Sequence, residues 1–368
     1  MRRYDNDLTL LRELSLCFGP SGLETEVADA IERALPVLCD SFSRDRMGNL
    51  TALIRTGDLS SEHRHRVMIS AHMDEIGVMV TELCEDGLAR FDTVGGIDVS
   101  VLEGRKVILG DETRRISGVI ASKAIHHKEK KDRNKPTPIS KLFIDIGARD
   151  RAEAERYLSV GSLGVFDSEF YRFGKDGAFV KSKALDDRMG CAAMLSVMAS
   201  LMRERPSADL DLYFCFTVRE EIGLSGAKVV AQRIAPELSI VLESTAVADL
   251  PETEENKRVA ELGRGGALSV MDRSTIYDRA FLEFARSVAA KEEIPVQLKK
   301  YVSGGNDAGS IHKSGVGVRT LALSVPTRYL HSPACVASVE DYHSVTRLVE
   351  AMLRALPEIT PLRKDEEK

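Results

Sequence analysis

Val67-Met68-Ile69-Ser70-Ala71-His72-Met73-Asp74-Glu75 begins as an apolar run with β-branched members and ends in an imidazole and two acids. Such a run predicts a strand buried on both faces, as in a parallel sheet, and its polar end predicts a strand entering a site. Side-chain direction repeats every two residues along an extended chain. His72 and Asp74 therefore have one side of the chain available to both, and one can support the other.

Upstream of this strand, Ser21 and Glu24 have the spacing of a capping box, in which the hydroxyl accepts from an amide of the first turn and the acid reaches back to the cap amide. Val27, Ala28, Ile31 and Ala34 follow at helical spacing and Pro36 closes the pattern, so a surface helix with one buried face is expected. Downstream, from Gly77 to Val180, short β-like runs (Gly77–Leu83, Arg105–Leu109, Ile116–Ile120, Leu142–Ile146) are separated by Gly, Asp and charged turns. Many short strands with turns predict a compact β-rich insert or barrel. After Lys183 the texture is α/β again. A helix is expected over Leu185–Glu204 with Asp186 and Asp187 at its positive end, strands over Leu210–Val218, Ser239–Glu243 and Val318–Val325, and helices over Ser274–Ala290 and Asp341–Leu356. The fold class is thus α/β, a mixed sheet flanked by helices, with residues 1–76 and 181–368 forming one discontinuous domain around a β-barrel-like insert at 77–180.

Composition narrows the class of function. The 368 residues are 43% hydrophobic and 29% charged, with a formal charge of -6, which gives no long-range attraction to nucleic acid or to an anionic membrane. No apolar segment approaches the roughly 20 residues that span a bilayer, and the first residues lack a signal-peptide core, so a cytoplasmic location is expected. Cys17, Cys39, Cys84, Cys191, Cys215 and Cys335 contain no CxxC pair and read as reduced, mostly buried thiols.

Spacing of ligand-type residues carries the chemistry. His72, Asp186, Glu221, Glu243 and His331 fall at predicted strand ends or a helix start, which in an α/β domain can converge on one crevice although they span about 260 residues of chain. Two imidazoles and three carboxylates suit zinc or cobalt. A bridge through Asp186 would let the set hold two divalent ions, a hydrolase centre. Glu220, beside Glu221, is the candidate general acid/base, and Asp74 the support that fixes the His72 tautomer.

Six short motifs occur in a fixed order: Ala71-His72-Met73-Asp74-Glu75-Ile76-Gly77, Ala184-Leu185-Asp186-Asp187-Arg188, Glu220-Glu221-Ile222-Gly223, Leu242-Glu243-Ser244-Thr245, Gly304-Gly305-Asn306-Asp307-Ala308 and Tyr329-Leu330-His331-Ser332-Pro333. With Ser21-Gly22-Leu23-Glu24 before them, the chain resembles, over residues 5–355, the tetrahedral aminopeptidase and glutamyl aminopeptidase family of cytosolic co-catalytic metallopeptidases, whose members have also been labelled cellulases or endoglucanases. The resemblance implies a zinc-aminopeptidase-like fold and two divalent ions per subunit, zinc or cobalt. His72 and Glu243 would serve one, Glu221 and His331 the other, and Asp186 would bridge; Glu220 would be the general acid/base and Asp74 the supporting acid behind His72. Glu243 stands where many relatives carry Asp. The resemblance also implies short peptides with a free N-terminus as substrates, Gly304, Gly305, Asn306 and Asp307 as a wall of their pocket, and an insert that makes subunit contacts in dimers, themselves assembling into a hollow dodecamer.

Other readings are weaker. Gly263-Arg264-Gly265-Gly266 lacks the Lys-Ser/Thr ending of a phosphate loop and reads as a turn beside the peptide site. His126 and His127 lie in a basic stretch from Lys123 to Lys135 without interleaved aromatics, an exposed loop rather than a nucleic-acid patch. An N-acyl amino-acid deacylase or a specialised dipeptidase would keep the metal chemistry. A two-carboxylate glycosidase would leave the metal ligands without a role. An idle assembly protein would not need the complete set.

Overall fold

The computed structural model of the chain describes residues 8–130, 134–300 and 302–356. Three strands, β1 (Ser41–Arg44), β2 (Leu50–Arg55) and β3 (His65–His72), precede a group of six: β4 (Gly77–Leu83), β5 (Ala89–Val94), β6 (Lys106–Gly110), β7 (Arg115–Ala121), β8 (Phe143–Asp145) and β9 (Leu163–Phe166). These six close into a barrel in the order β4-β5-β8-β7-β6-β9. The later strands are β10 (Tyr171–Phe173), β11 (Phe179–Ser182), β12 (Leu210–Thr217), β13 (Leu238–Ala246), β14 (Gly266–Leu268), β15 (Val296–Leu298), β16 (Arg319–Arg328) and β17 (Cys335–Ser338). They join β1–β3 in one mixed sheet ordered β1-β2-β12-β3-β13-β16-β17-β11-β10, with β14 and β15 attached through β16. The helices are α1 (Leu8–Leu16), α2 (Thr25–Glu32), α3 (Arg151–Ala154), α4 (Leu185–Arg203), α5 (Ser225–Ile234), α6 (Arg279–Lys291), α7 (Ala308–Ile311) and α8 (Val339–Ala355).

The opening stretch is β3, the centre of the sheet, running parallel to both β12 and β13. Its residues from Val67 to His72 are all buried because helices cover both faces. Val67, Ile69 and Ala71 pack into the main core with α1, α4 and α8, while Met68 faces the other way into a cluster with Ala227, Val230 and Ala231 of α5. α4 is buried on every side from Leu185 to Ala199, as a helix enclosed between a sheet and two other helices must be. The barrel has its own core, built from Val78, Val80, Phe91, Leu109, Ile120 and Ile144. The expected fold class is therefore the observed one.

Several boundaries differ for physical reasons. β10, inside the 77–180 segment, pairs with β11, which crosses the end of that segment and pairs in turn with β17; both extend the large sheet, and the last barrel strand ends at Phe166. The capping box does not form: α2 begins after Glu24 with no side-chain cap, because Ser21 and Glu24 are engaged elsewhere. The helix expected from Ser274 begins at Arg279, capped by Asp278, since Asp272 draws the Ser274 and Thr275 amides into a loop. Asp186 and Asp187 precede the regular part of α4, with non-helical backbone angles and a cis peptide bond between them. Gly263 and Gly265 donate their amides to Asp341 at the start of α8. Lys131–Arg133 of the basic stretch and the charged tail Arg363–Lys368 lie outside the described residues.

A buried ionic cluster ties the N-terminal segment to the roots of β3 and α4. The Glu75 carboxylate accepts from Lys183 at 2.7 Å and from Arg188 at 3.3 Å, and all three side chains are at most 4% exposed. Arg188 also donates to the carbonyls of Leu14, Gly19 and Met73. Removing one member of a buried ionic set leaves the others uncompensated, at roughly 3–5 kcal/mol. Glu75→Ala is accordingly expected to lower unfolding stability by about that amount, read as a shift in denaturant midpoint at unchanged slope. An unmoved midpoint would show that the cluster carries no net stability.

Candidate metal centre

Four parallel strands and one helix start deliver the site. β3 ends in His72, and β12, in register with it through Thr217↔His72, leads into Glu220 and Glu221. Glu243 lies within β13, which runs on to Ala246 instead of ending at the acid as expected. Asp186 comes from the irregular first turn of α4, and His331 from the turn after β16, in left-handed backbone conformation at φ 57°.

Two triads result, His72–Asp186–Glu243 and Asp186–Glu221–His331, each with its donor atoms within 4.8 Å of one another. Asp186 belongs to both through different oxygens: Oδ1 is 3.2 Å from His72 Nε2 and Oδ2 is 3.3 Å from His331 Nε2. His72 Nε2 also lies 3.8 Å from Glu243 Oε2, and His331 Nε2 lies 3.3 Å from Glu221 Oε1. Glu220 forms a further close group with His72 and Glu221, at the edge of both triads.

Backbone carbonyls set both imidazoles. His72 Nδ1 is 3.1 Å from the Asp74 carbonyl, and His331 Nδ1 is 2.7 Å from the Gly96 carbonyl. A carbonyl oxygen only accepts, so Nδ1 donates in each and Nε2 is left pointing at the carboxylates, the nitrogen that would bind a metal on giving up its proton. Gly96, on the segment following β5, was not singled out in the sequence; a Cβ there would come within 3.4 Å of the His331 ring, and the Gly95-Gly96 pair is the only signal for it. The Asp74 carboxylate stands on the same side of the ring, beside Nδ1. Its Oδ1 is 3.5 Å from His72 Nδ1, and the carboxylate also accepts from Ser21 Oγ and from the Glu220 and Glu221 amides.

The electrostatics are those of crowded acid. Burial, reinforced by Glu220, Asp187 and Asp186, pushes the Glu243 carboxyl well up from its usual range. Burial likewise raises Glu221 to about 7, with Asp186 and Asp74 adding to it. His331 would be lowered by burial, but Asp186 and Glu221 raise it to about 9. Glu243 Oε1 is buried without a hydrogen-bond partner. A surplus of enclosed carboxylate, an unpartnered oxygen and two correctly directed imidazoles fit divalent cations of the zinc type, whose uptake displaces protons from the same groups.

The predicted pocket wall is divided. Gly304 and Gly305 are exposed, whereas Asn306 and Asp307 are buried. Asp307 accepts from Thr217 Oγ1 at 2.7 Å, and the Asn306 amide donates to Tyr277 at 3.1 Å.

A mixed sheet with a barrel insert and two acid–imidazole triads sharing an aspartate define a dinuclear metallopeptidase. The family model for M42 glutamyl aminopeptidase matches residues 48–348, and the chain belongs to that family. It is a metal-dependent aminopeptidase of the dinuclear type. It is 31% identical to a lysyl aminopeptidase of Pyrococcus furiosus, over 95% of this chain and 97% of that one. Its fold superposes on the TET aminopeptidase of a marine sediment Thaumarchaeota archaeon with a TM-score of 0.90 at 31% identity, covering 96% of this chain and 97% of the other. For the Pyrococcus horikoshii TET1 peptidase, which can assemble into a tetrahedron or a large octahedral shell, the TM-score is 0.82 at 32% identity, over 94% and 98% of the two chains. Among the described residues no helix is long and apolar enough to cross a membrane.

Proposed function

We propose that the enzyme removes the N-terminal residue from short peptides, with His72, Asp186 and Glu243 holding one divalent ion, Asp186, Glu221 and His331 the other, and Glu220 moving the proton. The observation that carries this reading is the two-sided engagement of Asp186 with an imidazole on each oxygen. When bound, a pair of divalent ions supplies Lewis acidity to the scissile carbonyl and lowers the pKa of water. Glu220 stands beside His72 and Glu221 without belonging to either Asp186 triad, so its carboxylate is free to take the proton of the attacking water and return it to the leaving amine. Burial, together with the acids Asp307, Glu221 and Asp74, raises Glu220 above the ordinary carboxylate range, which suits a group that must both accept and release a proton. Gly304 and Gly305, exposed beside the buried Asn306 and Asp307, offer main chain to the substrate.

Free amines should matter. A panel of unblocked and N-acetylated peptides is expected to give release only from the unblocked set; release from the acetylated set alone would move the reading to a deacylase, and hydrolysis confined to dipeptides would make it a dipeptidase.

The barrel is the proposed contact domain of a homo-oligomer, a dodecamer built from dimers. Met79, Val119, Tyr157 and Val160 leave apolar surface on it, and the related TET1 peptidase assembles into closed shells. Light scattering across a range of concentrations should give about twelve times the 40.5 kDa chain mass. A constant 40.5 kDa would refute assembly, and a stable dimer would remove the shell. The six cysteines are unpaired, which supports a reducing, cytoplasmic setting.

A further inference from the structure

The turn that presents Glu220 and Glu221 is held in an unusual way. β12 ends at Thr217, and the next four amides, from Val218 to Glu221, find no ladder partner beyond it; each donates to a side chain from the N-terminal quarter of the protein. Val218 N donates to Asn49 Oδ1 at 3.0 Å, Arg219 N to Glu24 Oε1 at 3.2 Å, Glu220 N to Asp74 Oδ1 at 3.0 Å and Glu221 N to Asp74 Oδ2 at 3.1 Å. Arg219 sits at φ 58°, the left-handed region that a residue with a Cβ adopts only when its surroundings impose it. This backbone reversal sends two adjacent carboxylates to different places: Glu221 to His331, Glu220 to the vicinity of His72, outside both Asp186 triads.

Ser21 and Glu24 complete the support. Ser21 Oγ donates to Asp74 Oδ2 at 2.5 Å, sharing that oxygen with the Glu221 amide, and so fixes the rotation of the carboxylate that meets two successive amides. Glu24 Oε1 is itself held by the Gly22 amide at 2.7 Å. The segment bearing both is anchored by main-chain bonds, Ser21 N to the Glu75 carbonyl and Glu75 N to the Gly19 carbonyl. The Ser-x-x-Glu pattern that resembles a helix cap is thus spent on the strand-end turn 195 residues further along.

We infer that Ser21 and Glu24 are positioning residues for catalysis: through Asp74 and the Arg219 amide they set where the Glu220 carboxylate stands relative to Glu221. The inference rests on the reading of Glu220 as the proton carrier. Neither side chain touches the triads, so their loss displaces Glu220 without removing a ligand. A displacement of an ångström or less at a proton-transferring group lowers turnover while binding is kept.

The test uses the zinc-loaded enzyme and an unblocked peptide that the wild type cleaves. Ser21→Ala and Glu24→Ala should each lower kcat roughly tenfold with KM within about twofold and two ions per chain retained, and Ser21→Thr should recover most of the loss. The decisive readout is coupling. In a Glu220→Gln background the same changes should cost almost nothing, because the group they position has been removed. Unchanged kcat, a loss matched by lost metal, or a loss that multiplies in full on Glu220→Gln would overturn the inference; the last is what general destabilisation gives. The two layers fail separately. Near-normal turnover by Glu220→Gln alone defeats the proton-carrier reading, and the inference falls with it, whereas a collapsed Glu220→Gln beside an unaffected Ser21→Ala defeats only the inference.

Discussion

Glu220→Gln is expected to keep both ions and the affinity for peptide while turnover falls by roughly two or more powers of ten, the scale of a positioned acid/base. The amide is nearly isosteric and leaves the Glu220 main-chain donation to Asp74 in place, so the turn should persist. It lacks only the capacity to take a proton. His331→Ala is the matching control: it removes an imidazole 3.3 Å from both Asp186 and Glu221 and should reduce metal occupancy first, with activity following. Comparing metal content with turnover in the two variants separates proton movement from ligation, and a metal-loaded Glu220→Gln enzyme with near-normal turnover would contradict the role given to Glu220.

Asp186→Ala should be more damaging still, because one side chain serves both triads. Its two oxygens face His72 and His331 separately, so truncation strips a partner from each imidazole and leaves His72 with Glu243 and His331 with Glu221. Disturbing only the support of a metal ligand costs about 10–100-fold in affinity or activity, and loss of a shared ligand is expected to exceed that at both positions. After dialysis the variant should retain well under two ions per chain, with activity at background. Retention of two ions would show that Asp186 is no bridge.

The ligand set was legible because each member has a local signature. His72 terminates an apolar run, Asp186 opens a long apolar helix, and Glu221 and His331 follow strands, positions that the parallel central strands gather at one end of the sheet. What escaped was carried by the main chain. The Gly96 carbonyl that orients His331 comes from the barrel side of the molecule and has no side chain to announce it. The wider use of Asp74 escaped for a related reason: strand alternation places it on the side of His72, but only the left-handed turn at Arg219 brings two amides to the same carboxylate. Ser21 and Glu24 fit a helix cap by spacing, yet α2 does without one because both are committed to this turn and to Asp74. The start of α6 was misplaced because Asp272, five residues before Tyr277, accepts from both the loop amides and the Tyr277 hydroxyl, a competition that helical periodicity does not register.

The central claim is that one aspartate joins two metal positions. Anomalous diffraction at the zinc edge, from crystals of the active, zinc-loaded enzyme, tests it most directly. The account predicts two peaks per chain, each about 2.0–2.2 Å from its ligand atoms. One should lie among His72 Nε2, Glu243 and Asp186 Oδ1, and the other among His331 Nε2, Glu221 and Asp186 Oδ2. A single peak in a fully active enzyme, or two peaks away from Asp186, would contradict it.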